Sequence, residues 1–150
     1  MQKKNSLQFA MYIHGGKSCL DENGGMKQPH ILIVDDSSEK LQRMKNAAET
    51  AHPMAVIHEA VNVREAMNII GIFGKRIESG GIDFDLPDGT GAEVISKLRQ
   101  ENSRAAIALF TAREQASYRE AEGLAYGAGA NHSFASGKTS NAELSVALAA

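Results

Sequence analysis

The chain has 150 residues, a formal net charge of −2 and one cysteine, Cys19; that length fits one domain burying roughly two-thirds of its unfolded surface. So weak a charge gives no electrostatic footing for nucleic acid or an anionic membrane, and a lone cysteine excludes an internal disulfide. No apolar run nears the roughly 20 residues of a membrane span, and none follows Lys3 and Lys4 to make a secretory signal, so a cytoplasmic protein is expected.

Residues 1–28 carry Gly15-Gly16 and Gly24-Gly25 among scattered polar residues with no sustained period. They are read as a flexible N-terminal extension, either an arm or a stretch upstream of a natural start at Met26. The folded domain is then residues 29–150. From Ile31 strands and helices alternate, the pattern of an α/β fold with a parallel sheet and crossover helices. The first strand is Ile31 to Val34. The first helix follows Asp35-Asp36, turns Leu41, Met44 and Ala48 to one face and stops before Pro53. A second strand covers Met54 to Glu59. The second helix opens at Asn62 with Glu65 at capping-box spacing, its stripe being Val63, Ala66, Met67, Ile70 and Phe73. The third strand ends at Asp83, but Gly80-Gly81 is weak material for a buried central strand. It is expected to be short and loose, or to depart locally from the regular plan. The third helix runs from about Ala92 to Gln100, the fourth strand from Ala105 to Phe110, and the fourth helix from about Glu114 to Tyr126. The fifth strand lies around His132 to Ala135, and the last helix opens at Ser140 with Glu143 again at capping-box spacing.

Three motifs sit at the ends of these strands. Ile31-Leu32-Ile33-Val34 runs into Asp35-Asp36, the third strand into Asp83-Phe84-Asp85-Leu86-Pro87-Asp88-Gly89, and Ile107-Ala108-Leu109-Phe110 into Thr111. In a parallel sheet all of them emerge at one edge, where open α/β sheets build their sites. Three carboxylates beside a hydroxyl describe a place to hold Mg²⁺ and receive a phosphoryl group. Each residue also has a plainer reading. Paired aspartates after a strand can cap a helix, Asp83 can be a turn residue, Thr111 a strand end, and Asp88-Gly89 a tight turn without chemistry. The five histidines show no metal-ligand spacing, and the methionines of the first two helices read as core fillers.

Taken in this order, the motifs resemble the receiver domain of two-component response regulators. The residues carrying the resemblance are Ile31 to Asp36, Asp83 to Gly91 and Leu109 to Ala112, and it extends over about residues 29–150. It implies a doubly wound, five-stranded parallel sheet of the flavodoxin-like kind, strand order 2-1-3-4-5. It also implies a signalling switch rather than a conventional enzyme, one that catalyses only its own aspartyl phosphorylation and dephosphorylation. Asp83 would accept a phosphoryl group from a phosphohistidine on a sensor histidine kinase or a histidine phosphotransfer protein. Asp35, Asp36, Asp83 and a backbone carbonyl near Asp85 would hold Mg²⁺. Thr111 would donate its hydroxyl to the phosphoryl group, and Phe134 would be the aromatic that follows its movement. The change would be read on the face of the fourth helix, fifth strand and fifth helix, through which receivers also often form homodimers. Asp85 and Arg113 would tune hydrolysis.

The departure from the family pattern is the lysine that receivers place at the end of the fifth strand. The family spacing arrives at Ser136, and the nearest lysine is Lys138. A bulge at Gly137 would let Lys138 reach back to the site. Without it, a degenerate receiver acting as a phosphorylation-independent interaction module is the alternative. A third reading rests on Asp83-Phe84-Asp85, which resembles the nucleophile motif of haloacid-dehalogenase-type phosphatases. That family wants Thr or Val where Pro87 stands. The kinase and the downstream target are not named by these residues. The chain ends after the last helix, as expected of a stand-alone receiver or a fragment of a larger regulator.

Overall fold

The computed structural model describes residues 23–25 and 28–149. The expectation for residues 1–28 therefore lies almost wholly outside the described residues. The elements, in chain order, are β1 (His30–Val34), α1 (Ser38–Ala51), β2 (Val56–Ala60), α2 (Val63–Phe73), a short 3₁₀ turn (Gly74–Arg76), β3 (Ile77–Asp83), β4 (Asp85–Leu86), β5 (Gly89–Thr90), α3 (Gly91–Glu101), β6 (Ala106–Thr111), α4 (Gln115–Ala128), β7 (His132–Ala135) and α5 (Asn141–Leu148). The main sheet is parallel with order β2-β1-β3-β6-β7. Since β6 and β7 are its fourth and fifth strands, this is the expected 2-1-3-4-5 arrangement. The two-stranded β4–β5 hairpin is an addition that the strand-helix rhythm does not signal.

Alternation along each strand divides the core between the two faces of the sheet. Leu32, Val34, Ile82, Ile107 and Leu109 pack with Ala66 and Ile70 of α2, Val94 and Leu98 of α3, and Ala121 and Ala125 of α4. Ile31, Ile33, Ala108 and Phe110 pack with Leu41, Met44 and Ala48 of α1 and Leu144 and Leu148 of α5. No helix among the described residues is long and apolar enough to cross a membrane.

The glycine-rich third strand is neither short nor loose. It runs seven residues and pairs on both sides, with a register shift near its start between the pairs His30–Ile77 and Ile31–Ser79. Its glycines make room for their neighbours. A Cβ at Gly81 would lie 3.1 Å from a Leu148 methyl and 3.2 Å from both Met44 Sδ and the Phe110 ring. Three large side chains thus close over the strand where its own side chain is missing.

Local capping fixes the loops around the upper edge. Ser140 and Glu143 form the expected reciprocal box at α5, with hydrogen bonds of 3.1 and 2.7 Å. At α2, Asn62 Oδ1 accepts from Glu65 N at 2.8 Å, while the Glu65 carboxylate reaches back one residue further, to Val61 N at 3.0 Å. Asp88 has a role beyond a turn residue. Its carboxylate accepts from Val63 N at 2.7 Å and Arg64 N at 3.0 Å, binding the β4–β5 hairpin to the first turn of α2.

Filling the glycine gap should strain the core. Gly81→Val is expected to destabilise the fold by roughly 1–3 kcal/mol through overpacking, measured as a lower urea midpoint with an unchanged denaturant slope.

Candidate functional site

Strand register builds the site. Val34 pairs with Ile82 and Asp83 with Phe110, so Asp35, Asp83 and Thr111 emerge on adjacent strands at the same end of the sheet. One carboxylate oxygen from each of Asp35, Asp36 and Asp83 lies within 4.8 Å of the other two. Asp35 is 1% and Asp83 5% exposed, while Asp36 faces solvent.

Backbone contacts hold these residues. Asp35 N donates to Ala60 O at 3.1 Å, and Asp35 Oδ1 accepts from Ser37 N at 2.9 Å. Behind Asp83, Gly91 N donates to Phe84 O at 2.7 Å. A Cβ on Gly91 would fall 2.2 Å from the Asp83 carbonyl oxygen, a separation that no side-chain-bearing residue could keep. Gly91 is therefore a positioning residue for Asp83.

Burial pushes the Asp83 carboxyl up to about 7, with the charges of Asp35 and Asp36 adding to the rise and Lys40 opposing it. Burial also raises Asp35, against the opposing hydrogen bond from the Ser37 amide and the charge of Lys40. Crowded, desolvated carboxylates of this kind call for a cation. The donors are all hard oxygens, which fit a divalent ion such as Mg²⁺ or Ca²⁺.

Thr111 is fully buried, and its Oγ1 accepts from Arg113 N at 3.1 Å, which leaves the hydroxyl proton to be donated elsewhere. The Asp85 carboxylate does not join the acidic cluster. Arg113 holds it with two hydrogen bonds of 2.7 and 2.8 Å and lies 4.6 Å above the centre of the Phe84 ring. Only the main chain of Asp85 is then left for a role at a metal.

Lys138 is not brought to the carboxylates. The expected bulge is missing: β7 ends at Ala135 and a turn covers residues 136–138, with Lys138 N donating to Ala135 O at 3.0 Å. The Lys138 side chain is exposed and makes no ion pair among the described residues. Arg43 fixes this loop by donating to Ser136 O at 3.0 Å, Thr139 O and Asn141 Oδ1 at 2.9 Å.

Phe134 also lies away from the expected place. It stacks on Phe110 at 5.3 Å in the layer beneath α1 and α5. Its neighbour Ser133 is the β7 side chain that faces α4, where Tyr118 OH meets Ser133 Oγ at 2.8 Å and that hydroxyl donates to Glu122 Oε2 at 2.5 Å. An aromatic ring is present at this position, but α4 supplies it. Period-two alternation counted from Phe110 through the β6–β7 pairing was the available signal.

A five-stranded α/β sheet with an acidic pocket at its carboxyl edge and a buried threonine on the next strand defines a receiver-type signalling domain. The chain belongs to the response regulator receiver domain family, which it matches over residues 31–134; receiver domains are the signalling switches of two-component systems. No curated protein matches the sequence. Solved structures agree in fold. A Burkholderia pseudomallei response regulator with a phosphorylated aspartic acid, calcium ion and citrate superposes with a TM-score of 0.67 at 20% identity, over 81% of this chain and 66% of that one. A CheY-like receiver domain from Methanospirillum hungatei gives 0.67 at 21% identity, over 79% of this chain and 88% of that one. The Borrelia burgdorferi CheX–CheY–BeF₃–Mg²⁺ complex gives 0.66 at 17% identity, over 83% of this chain and 89% of that one.

The raised Asp83 carboxyl sets a pH dependence. Its protonated form is favoured in the folded chain, so its contribution to stability is full below the ordinary carboxylate value of 3.8 and is lost as pH rises through about 7. Asp83→Asn should therefore be more stable than the parent above pH 7 without divalent metal, by about 1 kcal/mol or more. The advantage should shrink toward pH 4 and on adding Mg²⁺ to the parent, as read from thermal midpoints.

Proposed function

We propose that Asp83 is the phosphoacceptor of a Mg²⁺-dependent two-component switch. The carrying observation is the meeting of the Asp35, Asp36 and Asp83 carboxylates within 4.8 Å next to the buried hydroxyl of Thr111. The donor is a phosphohistidine on a sensor kinase or phosphotransfer protein, which implies a location in the cytoplasm. An ionised Asp83 oxygen attacks the phosphorus in line. The P–N bond breaks with its electron pair left on the imidazole nitrogen, and an aspartyl phosphate forms. Asp35, Asp36, Asp83 and the main-chain carbonyl of Asp85 would hold Mg²⁺, which when bound neutralises charge on the carboxylates and the phosphoryl oxygens. The Thr111 hydroxyl donates to a phosphoryl oxygen.

The output surface in this reading is formed by α4, β7 and α5. The Tyr118–Ser133–Glu122 chain ties α4 to β7 there, and a shift of the loop after Thr111 alters the seating of α4. A downstream protein or a second copy reads the change. The second reading, an interaction module independent of phosphorylation, is favoured by one observation: Lys138 stands outside the pocket.

Incubation with Mg²⁺ and acetyl phosphate should add the mass of one phosphoryl group to the intact protein. Asp83→Asn should gain nothing, and Thr111→Ala should gain it more slowly. A parent protein indistinguishable from Asp83→Asn would favour the interaction module. Because Arg113 clasps Asp85 two residues after the acceptor, Arg113→Ala should shorten the lifetime of the aspartyl phosphate several-fold, followed by the return of the unmodified mass after donor removal.

A further inference from the structure

The family lysine is replaced by Ser136, Lys138 points to solvent, and the loop between them is pinned by Arg43. A phosphoryl group on Asp83 would still need a cation other than the metal. Helix α1 supplies a candidate. Met44 lies over Gly81 on the face of β3 that also carries Asp83. One turn earlier on the same stripe is Lys40. The α1 crossover runs opposite to the strands, so a step of about 5.4 Å back along the helix matches two residues forward along β3, about 6.6 Å. That step leads from Met44 above Gly81 to Lys40 at the level of Asp83. A small cavity next to Asp35, the strand neighbour of Asp83, is lined by Lys40, Arg43, Met44, Phe110 and Ser136.

Two further observations agree. Lys40 is half-buried and makes no ion pair among the described residues, while its charge acts on both Asp83 and Asp35. Ser136 Oγ, in the same cavity, is buried without a hydrogen-bond partner. Arg43, the other cation of the cavity, is committed to the Ser136 and Thr139 carbonyls.

We propose that Lys40 is the catalytic cation of this receiver, donating from α1 to the phosphoryl group on Asp83 in place of a lysine after β7, with the Ser136 hydroxyl as a second donor beside it. The inference rests on the phosphoacceptor reading of Asp83. With acetyl phosphate as donor, the P–O bond to acetate breaks, acetate leaves with the electron pair, and the new bond joins phosphorus to the Asp83 oxygen. Lys40 stabilises the charge through N–H donation and transfers no proton.

The test compares the parent with Lys40→Met, Lys40→Arg and Lys138→Met in two assays. These are the rate of phosphoryl gain from acetyl phosphate by intact mass, and Mg²⁺ affinity alone by titration. Lys40→Met should slow phosphoryl gain by about tenfold or more, the value of a charge-assisted hydrogen bond. It should also bind Mg²⁺ more tightly, because a repelling charge has left the carboxylates. Lys40→Arg should recover much of the rate, and Lys138→Met should stay near the parent. Opposite signs in the two assays separate this role from simple damage, which weakens both. Lys40→Met at the parent rate, a loss in both assays, or a large loss in Lys138→Met instead would overturn the assignment of Lys40 while Asp83 remains the acceptor. A parent that gains no more mass than Asp83→Asn would overturn the acceptor reading and the Lys40 assignment together.

Discussion

Asp35 and Asp83 end neighbouring strands with almost no exposure to water, and Asp36 adds a third carboxylate to the same few ångströms. Neither buried group is comfortable as an anion there. Desolvation raises both, the charge of Asp35 adds to the rise at Asp83, and the charge of Asp36 adds to both. Positive charge arriving among them would relieve this crowding, which is why three hard carboxylate oxygens so close together suit a divalent cation. Much of the architecture around the edge serves to keep the carboxylates together against their repulsion.

The glycines do much of that work by what they omit. Gly91 lets the start of α3 close on the Asp83 carbonyl, where any Cβ would collide. Gly81 lets Met44, Phe110 and Leu148 converge over β3, which lets α1 and α5 pack closely on the sheet. Asp88 secures the hairpin after Asp83 to α2 through two backbone amides. Asp83 is thus held by contacts that cost little side-chain entropy, since most are made by main chain or by absent side chains.

Around this centre the chain has redistributed familiar parts. The aromatic ring at the α4–β7 contact comes from Tyr118 on the helix, with Ser133 on the strand. The turn after β7 is tied down by Arg43, which leaves Lys138 at the surface. At the first of these places the aromatic ring expected from β7 is supplied by a helix packed against it. Such exchanges are tolerated because the site requires a group in space and not a position in the chain.

The strand-helix alternation and the acidic and hydroxyl residues at the strand ends were legible from the 150 residues, and the five-stranded order followed from the family resemblance those motifs carry. They depend on local periodicity and on motifs that each lie within one short stretch. The strength of β3 was not legible, because its packing atoms belong to α1, β6 and α5. Nor was the placement of Phe134, which the register with Phe110 decides. The role of Asp88 and the Asp85–Arg113 clasp join residues from 24 to 28 places apart in sequence. For the long-range members of that set, only the docking of helices on the sheet determines which side chains meet. The linear order states which groups are available, and the packing of α1, α4 and the β7–α5 loop decides which of them can reach the carboxylates.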